Sequence, residues 1–350
     1  MDNDAILYEM YNDTYNDNYT YDEDVTLENV VFKPNSTCFK EVSCVALLVV
    51  NVLILLLGLS GNGIVIWIAG FKMKKTINTT WYLSLAISDF IFCACLPFNI
   101  THMATSNWIF GLFMCKFTSF AMFLNMFSSI FLLVIISADR CVSVMCPVWA
   151  QNHRTIQKAS LVVTLAWVVS IALSIPSVVF RDVVSHLGKS VCFNNYTSHQ
   201  YSHEMIAVSR LVGGFIIPFF IIFICYSIII LRLRTNNMTK SSKPFKVMTA
   251  LIVTFFICWL PYHVFVLLEL NHQNYDSEVI RLGFKVSTTV ATANSFLNPI
   301  LYIFMGNDFK RSFKNSVFSK MENALGEEGR TMSRYLSRSS SVDGRASTHI

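Results

Sequence analysis

Seven apolar segments, at approximately 44–70, 79–103, 112–145, 158–180, 205–232, 244–270 and 282–305, constrain this chain more than any other feature. Each approaches or exceeds the ~20 residues that an α-helix needs to cross a bilayer hydrocarbon core of about 30 Å. Lipid offers no water to a backbone, so such segments fold as helices packed side by side. With 53% hydrophobic and only 14% charged residues, the chain has too few charges to clothe a soluble surface of its length. The expected fold class is an all-α membrane protein, a seven-transmembrane helix bundle over 44–305.

Charge gives the bundle a direction. Residues 1–30 hold six Asp and three Glu with no Lys or Arg, while the rest of the chain carries +14. Lys72, Lys74 and Lys75 follow segment one, and Arg154 and Lys158 separate segments three and four. Arg232, Arg234, Lys240, Lys243 and Lys246 lie between five and six, and Lys310, Arg311, Lys314 and Lys320 follow seven. If the helices alternate, all these clusters share one side, and the positive-inside rule makes that side cytoplasmic. A plasma-membrane protein with an extracellular amino terminus and a cytoplasmic carboxy terminus is therefore expected. No apolar stretch with a basic leader precedes the acidic tail, so the first membrane helix is expected to serve as the signal.

Residues 1–43 are read as an acidic, disordered extracellular tail. Asn12, Asn18 and Asn35 there, and Asn195 between segments four and five, are glycosylation acceptors on the expected outer side. Asn78 and Asn237 head sequons on the inner side and are expected to stay bare. Tyr8, Tyr11, Tyr15, Tyr19 and Tyr21 sit among acidic residues. They fit either a solvated tail or sulfated tyrosines that meet a basic protein.

Polar residues inside spanning segments are costly and draw functional attention. Asp89 lies in segment two, Asn125 and Ser129 share a face of segment three, and Asn294, Ser295 and Asn298 lie in segment seven. Converging at one depth, Asp89, Asn125, Ser129, Asn294 and Asn298 could hold a structural sodium ion through oxygen ligands, or form a polar network that packs the helices. No cysteine spacing suits a tighter metal. Pro176, Pro218, Pro261 and Pro299 interrupt or end apolar segments, and proline loosens a helical ladder.

GNGIV (61–65), SLAISD ending at Asp89, Cys115 with ADRC (138–141), Trp167, Pro218 with Tyr226, CWLPY (258–262) and NPILY (298–302) occur in order through all seven segments. Together they resemble the rhodopsin-like G-protein-coupled receptors. The resemblance implies a disulfide from Cys115 to Cys192 in the second outer loop. It also implies a switch to a G protein built from Asp139, Arg140, Tyr226, Trp259, Asn298, Pro299 and Tyr302, with Asp139 restraining Arg140 at rest. The usual tyrosine after Arg140 is Cys141 here, which leaves a non-signalling, scavenging receptor as an alternative. FKMKKTIN (71–78), PVWAQNHRT (147–155), FRD (180–182), SKPFKVM (242–248), CFNN (192–195) and FMGNDFKRSF (304–313) are similar to the chemoattractant branch, the chemerin and formyl-peptide receptors above all. That branch implies an extracellular chemerin-like peptide or protein ligand, an inhibitory heterotrimeric G protein, receptor kinases and arrestin, and roles in chemotaxis and inflammation.

The residues themselves specify the ligand end only as far as charge. Arg210 lies eight residues before Pro218, inside segment five, where a guanidinium must face a watery cavity, an anion or an internal acid. Its fork matches a carboxylate. Arg181 and Lys285 extend the basic surface, and Glu269 would meet a donor on the ligand. On the inner side, 306–320 alternate basic and aromatic residues at helical spacing, an amphipathic eighth helix on lipid. Residues 321–350 read as a cytoplasmic tail, with Ser337, Ser339, Ser340 and Ser341 as phosphorylation candidates. A transporter gains nothing from these motifs, no enzyme chemistry is visible, and no nucleic-acid partner is expected.

Overall fold

The computed structural model describes residues 38, 41–186, 188–196, 202–235, 243–270, 275–305 and 311–313. The long helices are α1 (Val42–Trp67), extended by a π turn at Ile68–Lys72, α2 (Ile77–Thr105) and α3 (Gly111–Met145). After α4 (Pro147–His153), α5 (Ile156–Ser174) and the single turn α6 (Pro176–Val179) form the fourth span. A hairpin, β1 (Arg181–His186) and β2 (Lys189–Asn194), leads to α7 (Ser202–Leu211), a π turn at Val212–Ile216 and α8 (Ile217–Thr235). The last two spans are α9 (Lys243–Leu270) and α10 (Ser277–Met305). Six of these spans are apolar and long enough to cross a membrane by length and composition alone. The seventh, α10, has Glu278, Arg281 and Lys285 near its start.

Local chemistry sets the ends. Thr76 caps α2 reciprocally with Thr79, each side chain taking the other's backbone N–H, and the Thr155 hydroxyl accepts from Lys158 N at the start of α5. Ser106 closes α2 in the left-handed region, at φ 51°. The fourth span was expected over 158–180 with Pro176 loosening its ladder, and its long helix α5 is cut short there. It stops at Ser174 because Pro176 has no N–H to continue the ladder and instead begins a new turn.

Helix α3 runs through the centre, with most of its side chains between Thr118 and Ser137 buried, whereas α1, α5 and α8 turn Val, Leu, Ile and Phe outward. Polar contacts tie the outer helices to the centre. Asn51 donates to Thr289 Oγ1 at 2.9 Å, Asn62 to the Ser295 carbonyl at 2.8 Å, and Trp167 Nε1 to Ser84 Oγ at 2.8 Å. At Gly61, α1 comes so near α10 that an added Cβ would lie 3.0 Å from the Pro299 ring.

The hairpin pairs antiparallel from Arg181 with Asn194 to His186 with Lys189 and turns at Gly188, φ 77°. Cys192 on β2 is bonded to Cys115 on α3, 77 residues earlier. The α2–α3 loop stitches the same strand: Ser190 N donates to Asn107 Oδ1 and Trp108 N to the Ser190 carbonyl, both at 2.7 Å. A second disulfide, Cys38–Cys44, joins the chain ahead of α1 to its first turn. The expected sites at Asn12, Asn18, Asn35 and Ser337 to Ser341 lie outside the described residues. So does the eighth helix, apart from helical residues 311–313.

Candidate functional site

Three sites lie at different depths of the bundle. The first is a cavity of about 260 Å³ at the hairpin end, lined by Arg181, Arg210 and Glu269 together with Phe123, Tyr196, His203, Tyr262 and His263. Arg210 comes from the last turn of α7 and lays its guanidinium carbon 3.5 Å from the centroid of the Phe123 ring. Tyr196 lines the same cavity, near enough for its hydroxyl to interact with the guanidinium. Arg181, the first residue of β1, donates through Nη1 to Asn194 Oδ1 at 3.0 Å. Burial pushes the Arg181 pKa down and that of Tyr196 up, with the arginine–tyrosine attraction opposing both shifts. Glu269 faces His203, Oε2 to Nε2 at 3.8 Å, and the His203 ring stacks on Tyr196 at 4.7 Å.

Lys285 belongs to the expected basic surface but not to this cavity; it is exposed on α10 and lines no part of it. From the cavity an aromatic chain descends through Phe123, Tyr262, Trp259 and Phe255, with successive centroids 6.3, 5.7 and 6.0 Å apart. Tyr262 thereby touches Trp259, the aromatic beside Pro261, directly, and Phe123 reaches it through one intervening ring.

The second site is at mid-depth. Asp89 accepts from Asn125 Nδ2 and from Asn298 Nδ2, both at 2.8 Å, so one carboxylate joins α2, α3 and α10. Ser295 donates to Asn125 Oδ1 at 3.2 Å. Ser88 and Ser128, 2.5 Å apart, extend the network. Ser129 Oγ and Asn294 Oδ1 are buried without a hydrogen-bond partner among the described residues. The sequence-predicted residues are thus all buried, and Asp89, Asn125, Ser295 and Asn298 are joined to one another by hydrogen bonds, whereas Ser129 and Asn294 are not.

The third site is at the opposite end of α3. Asp139 is held by Arg154, Nε to Oδ1 and Nη2 to Oδ2, each at 2.7 Å. This is a bidentate fork. Arg140 stands farther from that carboxylate, Nε to Oδ2 at 3.8 Å, and donates through Nη2 to Asn78 Oδ1, which Arg154 also reaches at 3.3 Å. The expected Asp139–Arg140 restraint is therefore the looser contact, and the tight partner is an arginine from the segment after α4. Tyr226 lies near Thr249 across α8 and α9, and Cys141 near Cys225 across α3 and α8. Residues 243–268 contain no Asp or Glu, so α9 offers Arg140 no carboxylate along that stretch.

Residues 61–302 match the family model described as "7 transmembrane receptor (rhodopsin family)". The chain belongs to the rhodopsin family of seven-transmembrane receptors. It is 44% identical to the mouse "Chemerin-like receptor 1" over 362 residues, covering 97% of this chain and 95% of the mouse protein. It is 39% identical over 298 residues to the Oncorhynchus mykiss "C3a anaphylatoxin chemotactic receptor", with 83% and 82% covered. It is 38% identical over 312 residues to the mouse "Formyl peptide receptor-related sequence 6", with 85% and 91% covered. The protein is accordingly a chemoattractant-type receptor, a multi-pass protein of the plasma membrane and not an enzyme. Membership implies an extracellular ligand and a G-protein partner.

In this receptor, sequence reasoning missed Phe123, Tyr196, His203, Tyr262 and His263 at the cavity, and Asn78 and Arg154 at the switch. The aromatics carry no local signal that separates them from core. Asn78 and Arg154 did carry one: an amide and a cation beside an Asp-Arg pair are natural partners once the helices are known to end at one level. Tyr302 lies within α10, and its side chain is outside the described residues.

Proposed function

We propose that this receptor is activated by the free carboxy terminus of a chemerin-like peptide or protein, with Arg210 as the anchor and Arg181 as its neighbour. The observation that carries the reading is the placing of both guanidinia on one cavity wall above the aromatic chain to Trp259. A carboxylate entering there exchanges water for two charge-assisted donors. Glu269, at the rim with His203, would receive a donor farther along the ligand. The printed names of the curated relatives support chemerin as the first ligand to try.

The amino terminus is extracellular and the Arg140 end cytoplasmic in this reading, as the basic loops favour. Signalling passes to inhibitory-class G proteins, raising calcium and lowering cyclic AMP, and drives chemotaxis. Receptor kinases and arrestin act on the serine-rich tail. The unpartnered oxygens of Ser129 and Asn294 beside Asp89 support a sodium ion at mid-depth, because a hard cation takes oxygen ligands. Those two oxygens, with the Asp89 carboxylate, would hold it.

The test compares a chemerin carboxy-terminal peptide with its carboxamide on cells that express the receptor, wild type or Arg210→Ala. Cyclic AMP and calcium are read with and without pertussis toxin. The acid should be far more potent than the amide on wild type only, and the toxin should block both readouts. An acid-to-amide potency ratio that is the same in wild type and variant sinks the assignment.

A further inference from the structure

The cavity at the hairpin end holds more positive charge than its walls neutralise. Arg181 and Arg210 both line it, near enough for each to feel the other's charge. Their neighbours are neutral, an amide at Asn194 for one and the Tyr196 hydroxyl for the other. The Nε of each is buried without a hydrogen-bond partner among the described residues. No carboxylate of those residues lies within ion-pair distance of either; Glu269, the one acid on the cavity wall, is placed against His203. His263, 3% exposed on the same wall, adds an Nε2 with no partner. In the tautomer protonated at Nε2 it is a further donor.

A charge withdrawn from bulk water is ordinarily paired, and two like charges sharing one recess raise each other's cost. The sequence offers no internal acid to α3 or to α7 at this depth, and the recess has room for an ion with part of its water shell. We propose that the resting cavity holds a small inorganic anion of the halide class, chloride at physiological composition, between the Arg181 and Arg210 guanidinia. An anionic ligand then enters by displacing it. The site shares its arginines with the peptide subsite above, but the halide is held whatever the ligand proves to be, so the two readings fail separately.

The experiment uses the full chain purified in detergent and compares thermal unfolding in sodium chloride, sodium bromide and sodium gluconate. Sodium is held constant so that the Asp89 network experiences the same cation throughout. The expected result is a saturable rise in the wild-type midpoint of about 2–4 °C with either halide. That rise is lost or reduced in Arg210→Gln or Arg181→Gln. In gluconate the variants melt no lower than wild type, because each substitution removes a partly buried charge that no carboxylate pairs. Equal wild-type midpoints in all three salts overturn the proposal. So does a halide rise that survives undiminished in both variants, which would place the anion elsewhere. Should neither variant fold, anomalous scattering from bromide in wild-type crystals decides: a peak between the two guanidinia supports the site, and its absence there overturns it.

Discussion

The two ends of α3 handle buried arginine in opposite ways. At the hairpin end the roof is closed covalently by Cys115–Cys192, and the arginines beneath it meet only neutral acceptors and an aromatic face. At the Arg140 end nothing covalent closes the bundle, and each arginine is bonded: Arg154 to both oxygens of Asp139, Arg140 to Asn78. One end is fixed in shape and short of negative charge. The other shares one carboxylate between two arginines, leaves Arg140 Nε without a hydrogen-bond partner among the described residues, and is held by contacts that can be exchanged. An incoming anion has something to gain at the first, and a partner protein can capture Arg140 at the second only by competing with its present neighbours.

The largest effect should come from breaking the covalent end. Cys115→Ser releases the hairpin and should cost about 2–5 kcal/mol, the range for losing a native disulfide, seen as a lower melting midpoint and a small surface fraction by flow cytometry. Next comes Asp139→Asn, which removes the carboxylate that organises the other end. A charged hydrogen bond contributes about 1.5–3 kcal/mol, so basal nucleotide exchange on a reconstituted G protein should rise about tenfold to a hundredfold. Unchanged basal exchange would mean that Asp139 does not hold the resting state. Arg154→Gln should act in the same direction but more weakly, about threefold, because Arg154 is partly exposed and Arg140 retains Asn78. Arg154→Lys should recover only part of the difference, since an ammonium cannot make the fork.

The smallest effects separate two adjacent glycines. A Cβ at Gly214 would lie 3.0 Å from Met126 and 3.1 Å from Phe127, whereas at Gly213 it would meet nothing within 4 Å. Gly214→Ala should lower the melting midpoint by an amount equivalent to about 1 kcal/mol, and Gly213→Ala should leave it unchanged or raise it slightly. Equal shifts for the pair would show that α3 does not press on this turn.

The spans were legible because a membrane imposes a length and a composition that each segment declares by itself, as Gly111–Met145 does. Arg210 was legible for the same reason: a guanidinium in an apolar run is an anomaly that needs no partner to be noticed. The fork from Arg154 was not, because it exists only when the segment after α4 folds back against α3. The Cys38–Cys44 bond was not legible either, because that pairing depends on where the chain enters α1. The hairpin was hidden by its shortness, two six-residue strands whose register is set by Cys192 and the α2–α3 loop rather than by their own pattern.

The π turn at Val212–Ile216 sits directly between Arg210 and the rest of the fifth span. Because that turn accommodates one residue more than a regular helix would, it works as a phase adjuster between two half-helices. Side chains of α8 keep one azimuth, toward Tyr226 and its neighbour Thr249, while those of α7 keep another, toward the cavity. If the same residues took regular α geometry with none removed, the extra residue would add its own rotation and swing everything before it by about 100°. Arg210 would then point away from Phe123 with no change in its own identity. The charge of the cavity therefore depends on the width of one helical turn as much as on a residue type.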